Sequence, residues 1–291
     1  MNNSRYVVIS PSRNEEEFLP GTIGCMERQT VKPCQWILID DGSTDGSLEL
    51  MVAASRRHEW ITILQRKDRG FRLAGTGVID AFYDGYECVA HPDWDYLVKF
   101  DADLSFAQDY FEQCLRRFYA DPKLGIAGGT ICNEIKGRLE VESKVDPRFH
   151  VRGATKIYRR QCWDAIGGLI RAPGWDTVDE VKANMLGWTT YTFPDLKLLH
   201  HRMAGGAYGQ WNNWIKGGRA NYIAGYHPLF MLLKCIRRLF NKPYFIGGAG
   251  LWFGFLGCYL RRAPQIPDTA VIKYFQRQQI NRLLGRRSLW S

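Results

Sequence analysis

The chain has 291 residues, 45% hydrophobic and 24% charged, a composition that excludes a disordered protein and fits one large α/β domain with an appendage, or two domains. Its net charge of +9 is unevenly held: residues 1–200 carry 25 Lys/Arg against 29 Asp/Glu, whereas residues 201–291 carry 14 Lys/Arg against Asp268 alone. A basic character confined to the last third points to an anionic partner at that end.

The run Tyr6-Val7-Val8-Ile9-Ser10 predicts a first strand, with no apolar targeting segment before it, so a cleaved signal peptide is not expected. Cysteines at 25, 34, 88, 114, 132, 162, 235 and 258 show neither zinc-knuckle nor CxxC spacing and read as reduced, mostly buried thiols of a cytosolic protein. Helical stretches near 15–29, 46–57 and 75–89 alternate with strand-like runs at Trp36–Ile39, Ile61–Leu64 and Tyr96–Phe100. That alternation predicts βαβ units and a mainly parallel sheet. Ligands of such sheets gather at the carboxyl ends of the strands.

Three polar clusters fall at those ends. Pro11-Ser12-Arg13-Asn14-Glu15 follows the first strand, Asp40-Asp41-Gly42-Ser43-Thr44-Asp45 the second, and Asp101-Ala102-Asp103 the fourth. Thr44 or Asp45 suits an N-cap for the next helix, which leaves Asp40 for a ligand. Carboxylates one residue apart in extended chain share a face, so Asp101 and Asp103 suit a hard divalent cation, Mg2+ or Mn2+. The segment Gly70-Phe71-Arg72 with Gly75 and Gly77 matches neither the Walker nor the GxGxxG pattern. Arg72 is a candidate diphosphate contact.

The pieces "PSRNEE" at 11–16, "DDGSTDGS" at 40–47 and "DADL" at 101–104, followed by a later acidic element, resemble the inverting family 2 glycosyltransferases, and bacterial polysaccharide-assembly members in particular. The resemblance covers about residues 5–200. It implies the GT-A fold, a Rossmann-like mixed sheet flanked by helices. It further implies that Pro11, Ser12, Arg13 and Glu15 line the base and ribose of a nucleotide-sugar, with Asp40 on the base. Asp101 and Asp103 would hold the metal and the sugar-diphosphate. The family's catalytic acid usually stands in a Glu-Asp pair with a Gly eleven residues on. Here Trp175-Asp176 takes that place, Gly187 follows, and Lys182 replaces a frequent Arg. Asp176 is the expected general base and Asp179, one helical turn away, the reserve. His200-His201-Arg202 ends a further strand over Leu196–Leu199; His201 is the expected metal or diphosphate ligand, with Arg202 at the phosphates. Gly205-Gly206 reads as a hinge.

From Trp211 onward, Trp and Tyr interleave with cations. Residues 229–240 form a helix with a broad apolar face, and Tyr244–Leu260 is an uncharged run of seventeen residues containing five glycines. Cations on both flanks of that run argue against a single crossing and for a shallow, monotopic or re-entrant element on an anionic leaflet. A helix over Val271–Arg287 is expected to dock back on the catalytic domain. No nucleic-acid motif accompanies the basic residues, so nucleic acid is not an expected partner.

The expected organisation is a GT-A catalytic domain over 1–205 and a basic, amphipathic, membrane-associating helical region over 206–291. The expected activity is transfer of a sugar, UDP-linked by family frequency, to a lipid-linked saccharide or glycan at the cytoplasmic face of the inner membrane. The pathway would be surface or exopolysaccharide synthesis. A sugar nucleotidyltransferase is the enzymatic alternative, though Pro11–Glu17 lacks the glycines of its loop. A membrane scaffold with a decayed transferase domain is the non-catalytic one.

Overall fold

A computed structural model describes residues 4–68, 76–143, 145–202, 210–241 and 243–291. The chain divides into two compact units, one of residues 1–168 with 186–202, the other of 169–185 with 203–291.

The first unit alternates β1 (Tyr6–Ser12), α1 (Leu19–Glu27), β2 (Gln35–Asp40), α2 (Ser47–Arg57), β3 (Ile61–Gln65), α3 (Thr76–Glu87) and β4 (Tyr96–Phe100). It continues with β5 (Leu104–Phe106), α4 (Tyr110–Ala120), β6 (Leu124–Ile135), β7 (Arg138–Val141), β8 (Thr155–Arg159), α5 (Arg160–Ile166) and β9 (Thr189–His200). The sheet order is β3-β2-β1-β4-β8-β6-β9-β5, with β7 on β6. Only β3-β2-β1-β4 is the parallel array that the alternation predicts; β8 runs antiparallel to both β4 and β6, which makes the sheet mixed. All six residues of β2 are buried, as a strand covered on both faces requires, and this explains the unbroken apolar runs.

Strands β6 and β9 are parallel but lose register between Gly129↔Phe193 and Thr130↔Lys197, so Pro194, Asp195 and Leu196 loop out. A proline, lacking an N–H, fits such a bulge. Gly128 and Gly129 allow the close approach, since a Cβ on either would strike the carbonyl of Thr155 or of Leu196. Tyr110 fills the core beneath: its hydroxyl accepts the Gly129 N–H at 2.9 Å and bonds the Thr155 hydroxyl at 2.6 Å. A fully buried phenol is satisfied there.

The second unit holds α6 (Trp175–Met185), α7 (Gln210–Ile223), α8 (Pro228–Leu239), α9 (Ile246–Leu260) and α10 (Thr269–Leu283). Val178 and Val181 of α6 pack with Val271 and Phe275 of α10, which places 169–185 beside the C-terminal helices. Asp268 caps α10 through the Val271 N–H at 3.2 Å and lies 3.5 Å from Lys182. The uncharged run becomes one continuous helix. At 15 residues α9 is about 22 Å long, below the ~30 Å of a bilayer core. Among the described residues no helix is long and apolar enough to cross a membrane. The glycines of α9 serve packing: a Cβ at Gly254 would meet the Ile215 carbonyl of α7, and one at Gly248 the Cys235 carbonyl of α8.

Candidate active site

The first two polar clusters grip each other. Asn14, at φ 55°, accepts the Thr44 N–H on Oδ1 at 2.8 Å and donates its own N–H to Ser43 Oγ at 3.0 Å. Glu15 N–H donates to Ser47 Oγ at 2.8 Å, Glu16 N–H to Asp45 Oδ2 at 3.2 Å, and Gly46 N–H to Glu16 Oε2 at 3.1 Å. Asp45 also accepts the Ser47 N–H at 3.1 Å, close to the capping role its position predicts. Burial pushes its carboxyl up, but the bonds from Ser47 and Glu16 outweigh this and hold it below the usual range. Much of both motifs is therefore a clasp between two loops.

The residues expected to meet the nucleoside lie in and beside this clasp. Pro11 and Ser12 end β1; Ser12 is buried and its Oγ has no hydrogen-bond partner among the described residues. Arg13 donates to the Asp41 carbonyl and to Asp68 Oδ1, both at 2.7 Å. Asp40 is 1% exposed and accepts the Ser43 N–H at 3.1 Å, so it shapes its turn rather than standing open. Glu15 is buried and pairs with Arg202 at 2.9 Å; Arg202 also donates to the Asn14 carbonyl at 2.9 Å and lies over the Phe18 ring. Arg72 and the Gly205-Gly206 pair lie outside the described residues.

At the end of β4, the Asp101 N–H bonds the Ala154 carbonyl at 2.9 Å, and Lys99 reaches Asp101 Oδ1. Asp101, Asp103 and His200 each offer a ligand atom within 4.8 Å of the others. His200 Nε2 is 3.3 Å from Asp103 Oδ2, and the buried Nδ1 has no hydrogen-bond partner among the described residues. Burial alone would raise Asp103, yet the bond and charge of His200, helped by the charge of Arg202, hold its carboxyl below the usual range. Burial alone would lower His200, but the bond and charge of Asp103, with Asp101 and Glu142 behind it, raise it. Two carboxylates and an imidazole fit Mn2+ or Mg2+, and the nitrogen ligand favours Mn2+.

The histidine in this group is His200, not His201. His201 bonds Ser105 Oγ at 2.7 Å and stacks on Phe18 with ring centroids 5.4 Å apart. Neighbouring residues at a strand end face opposite ways, and the β5–β9 register sets His200 opposite Leu104, beside Asp103. Asp176 and Asp179 are both on α6, in the second unit. Asp176 is half-buried; Asp179 is 3% exposed and accepts the Glu180 N–H at 2.7 Å.

Sequence reasoning missed Thr22. This buried side chain of α1 donates to the Ala102 or Leu104 carbonyl, at 2.8 and 2.9 Å, and accepts the Leu104 N–H at 3.0 Å. Glu142, whose charge acts on His200, was missed as well. Nothing local in the sequence marks either residue.

The profile of the family described as "Glycosyl transferase family 2" matches residues 7–169. The undecaprenyl-phosphate 4-deoxy-4-formamido-L-arabinose transferase of Salmonella paratyphi B is 36% identical over 106 residues, 33% of this chain and 28% of that protein. The match thus spans under a third of that relative. Among solved structures, the mannosyltransferase PcManGT from Pyrobaculum calidifontis, in complex with GDP-Man and Mn2+, superposes with a TM-score of 0.57 at 17% identity over 97% of this chain and 86% of its own. S. aureus TarS 1–349 in complex with UDP-GlcNAc gives 0.52 at 13% identity over 97% and 80%. These two likenesses are of fold.

Proposed function

The chain belongs to glycosyl transferase family 2 and is a glycosyltransferase of GT-A fold; we propose that it moves a sugar from a nucleotide-sugar to a hydroxyl of a lipid-linked acceptor, with inversion and with a divalent metal. The observation that carries this reading is the group Asp101, Asp103 and His200, set at a strand end of the same sheet as the interlocked loops of 11–16 and 40–47. Those three residues would hold Mn2+ or Mg2+. The bound ion would neutralise charge growing on the departing nucleoside diphosphate.

The remaining steps belong to this chain's own side chains. An acceptor hydroxyl is a poor nucleophile at neutral pH, so a carboxylate must take its proton as it attacks the anomeric carbon. Asp176 is our assignment for that base, being the more accessible, and Asp179 the reserve. Attack from the face opposite the leaving group inverts the anomeric centre without a covalent enzyme intermediate. Pro11, Ser12 and the loop shaped by Arg13, Glu15 and Asp40 would receive the nucleoside.

A uridine donor agrees with TarS binding UDP-GlcNAc, and a lipid-linked acceptor with the name of the Salmonella relative. The basic C-terminal third supports peripheral attachment to an anionic membrane, at about 1 kcal/mol per cation near the surface. The setting proposed is surface or exopolysaccharide assembly at the cytoplasmic face of the inner membrane.

The test combines Asp103→Asn with a thermal-shift panel of nucleoside diphosphates, with and without Mn2+. Wild type should gain stability from UDP and Mn2+ together by mass action. The variant should lose that gain and turnover alike. Full metal-dependent turnover in Asp103→Asn would overturn the metal assignment.

A further inference from the structure

Helix α8 is built outside-in. Its apolar residues Leu229, Leu232, Leu233 and Ile236 recur at i, i+3, i+4 and i+7, with Phe240 four residues on, the spacing of a core-facing stripe. Yet all five are exposed, between 38% and 73%. The side of α8 that packs against its neighbours is Met231 and Cys235, buried in a cluster with Leu251 and Phe255 of α9. The apolar surface continues around the turn into α9, where Tyr244, Phe245, Ile246 and Phe253 are also exposed. Phe245 sits at φ 61°, a region that bulky residues avoid, and it is 68% exposed. Such an exposed, strained aromatic is held by its turn for something other than core packing.

Charge selects the occupant. Arg237 is exposed on α8, and Arg261 and Arg262 are exposed just after α9. Residues 201–291 offer a single acid, Asp268, which is engaged in capping α10 and with Lys182. A second copy of this face would bring cations against cations. A bilayer with anionic headgroups satisfies both parts: phosphates for the arginines and the acyl boundary for the stripe.

We infer that the α8–α9 hairpin is a monotopic membrane-docking surface, lying flat in the headgroup region of an anionic bilayer with the Leu229–Phe240 stripe and Phe245 submerged. The inference rests on the proposed lipid-linked acceptor for its biological purpose. It assigns the membrane contact chiefly to α8 and the turn after it, whereas the uncharged run of α9 spends its glycine face on α7 and α8.

The experiment is flotation of the full chain with vesicles of phosphatidylcholine alone or with added phosphatidylglycerol. Wild type is compared with Leu232→Gln/Leu233→Gln/Ile236→Gln and, separately, with Phe245→Gln. The three substituted side chains are exposed, so circular dichroism and the melting temperature of the triple variant should match wild type. Wild type should float with the anionic vesicles. The triple variant should partition at least a hundredfold more weakly, given roughly tenfold for each apolar side chain withdrawn from lipid. Phe245→Gln alone should weaken partition about tenfold.

Unchanged flotation of a folded triple variant overturns the inference while leaving the proposed transfer reaction standing. A wild type that ignores vesicles and dimerises through this face also overturns it. Conversely, normal flotation with no transfer to any lipid-linked acceptor, alongside intact UDP-sugar hydrolysis, supports the surface and defeats the acceptor reading.

Discussion

Thr22 is eighty residues from Ala102 in the chain, yet its hydroxyl fixes the turn that carries both aspartates. Thr22→Val keeps the shape and removes the hydroxyl, leaving a buried N–H and carbonyl to find other partners at about 1–3 kcal/mol. The expected outcome is a lower unfolding midpoint together with several-fold weaker Mn2+ affinity, while Thr22→Ser restores both. Titration of the two variants by thermal shift checks this, and a Thr22→Val protein with wild-type Mn2+ affinity would show that the turn holds without the clamp. At this scale the sequence was legible where chemistry repeats at a fixed offset, as in Asp101 and Asp103. It was illegible where the fold chooses between neighbours. His200 and His201 are equivalent as letters, and only the β9 register separates them. Arg13 and Asp40 look like free ligands in sequence but are drawn into the clasp by backbone N–H and carbonyl groups no motif displays.

Element β9 shows what alternation could not reveal. The run Leu196–Leu199 marks only its last third; Pro194 lies in a bulge within a longer strand. Arg117 of α4 braces that bulge, bonding Asp195 with both guanidinium nitrogens at 2.9 and 2.5 Å and covering Phe193 at 4.5 Å. The Arg117 hydrogen bonds hold the Asp195 carboxyl below its usual value. A depressed carboxylate stabilises the fold above its unfolded pKa and loses that contribution as pH falls through the folded one. Because Asp195 is 61% exposed, Asp195→Asn should cost under about 1 kcal/mol at neutral pH. The difference from wild type should vanish in acid below both pKa values, as denaturant midpoints across pH would report. A difference that persisted or grew in acid would show that packing, not charge, holds the bulge. The four parallel strands and their helices were read correctly because each is a short apolar run bounded by turn chemistry. Strands β6, β7 and β8 escaped notice, since their glycines, charges and antiparallel partners break that pattern.

At the scale of the whole molecule, the division of charge seen in the sequence survives as a division of labour. The first unit holds the group Asp101, Asp103 and His200, while the second carries the excess positive charge and the exposed apolar stripe. The second unit is also where folding must be least divisible. A helix with five glycines in 15 residues loses about 1 kcal/mol per glycine relative to alanine when isolated, so α9 has no independent existence as a helix. Its order is conferred by α7 and α8, whose carbonyls its glycines approach. Amide exchange in α9 should therefore track that of α7 as one cooperative opening, measurable by native-state hydrogen exchange. If α9 instead exchanged far ahead of α7, that shared opening would be refuted. The glycine-lined helix that brings the hairpin together makes it an assembly that forms as a whole or not at all, so the exposed apolar stripe of α8 is displayed only once that assembly is complete.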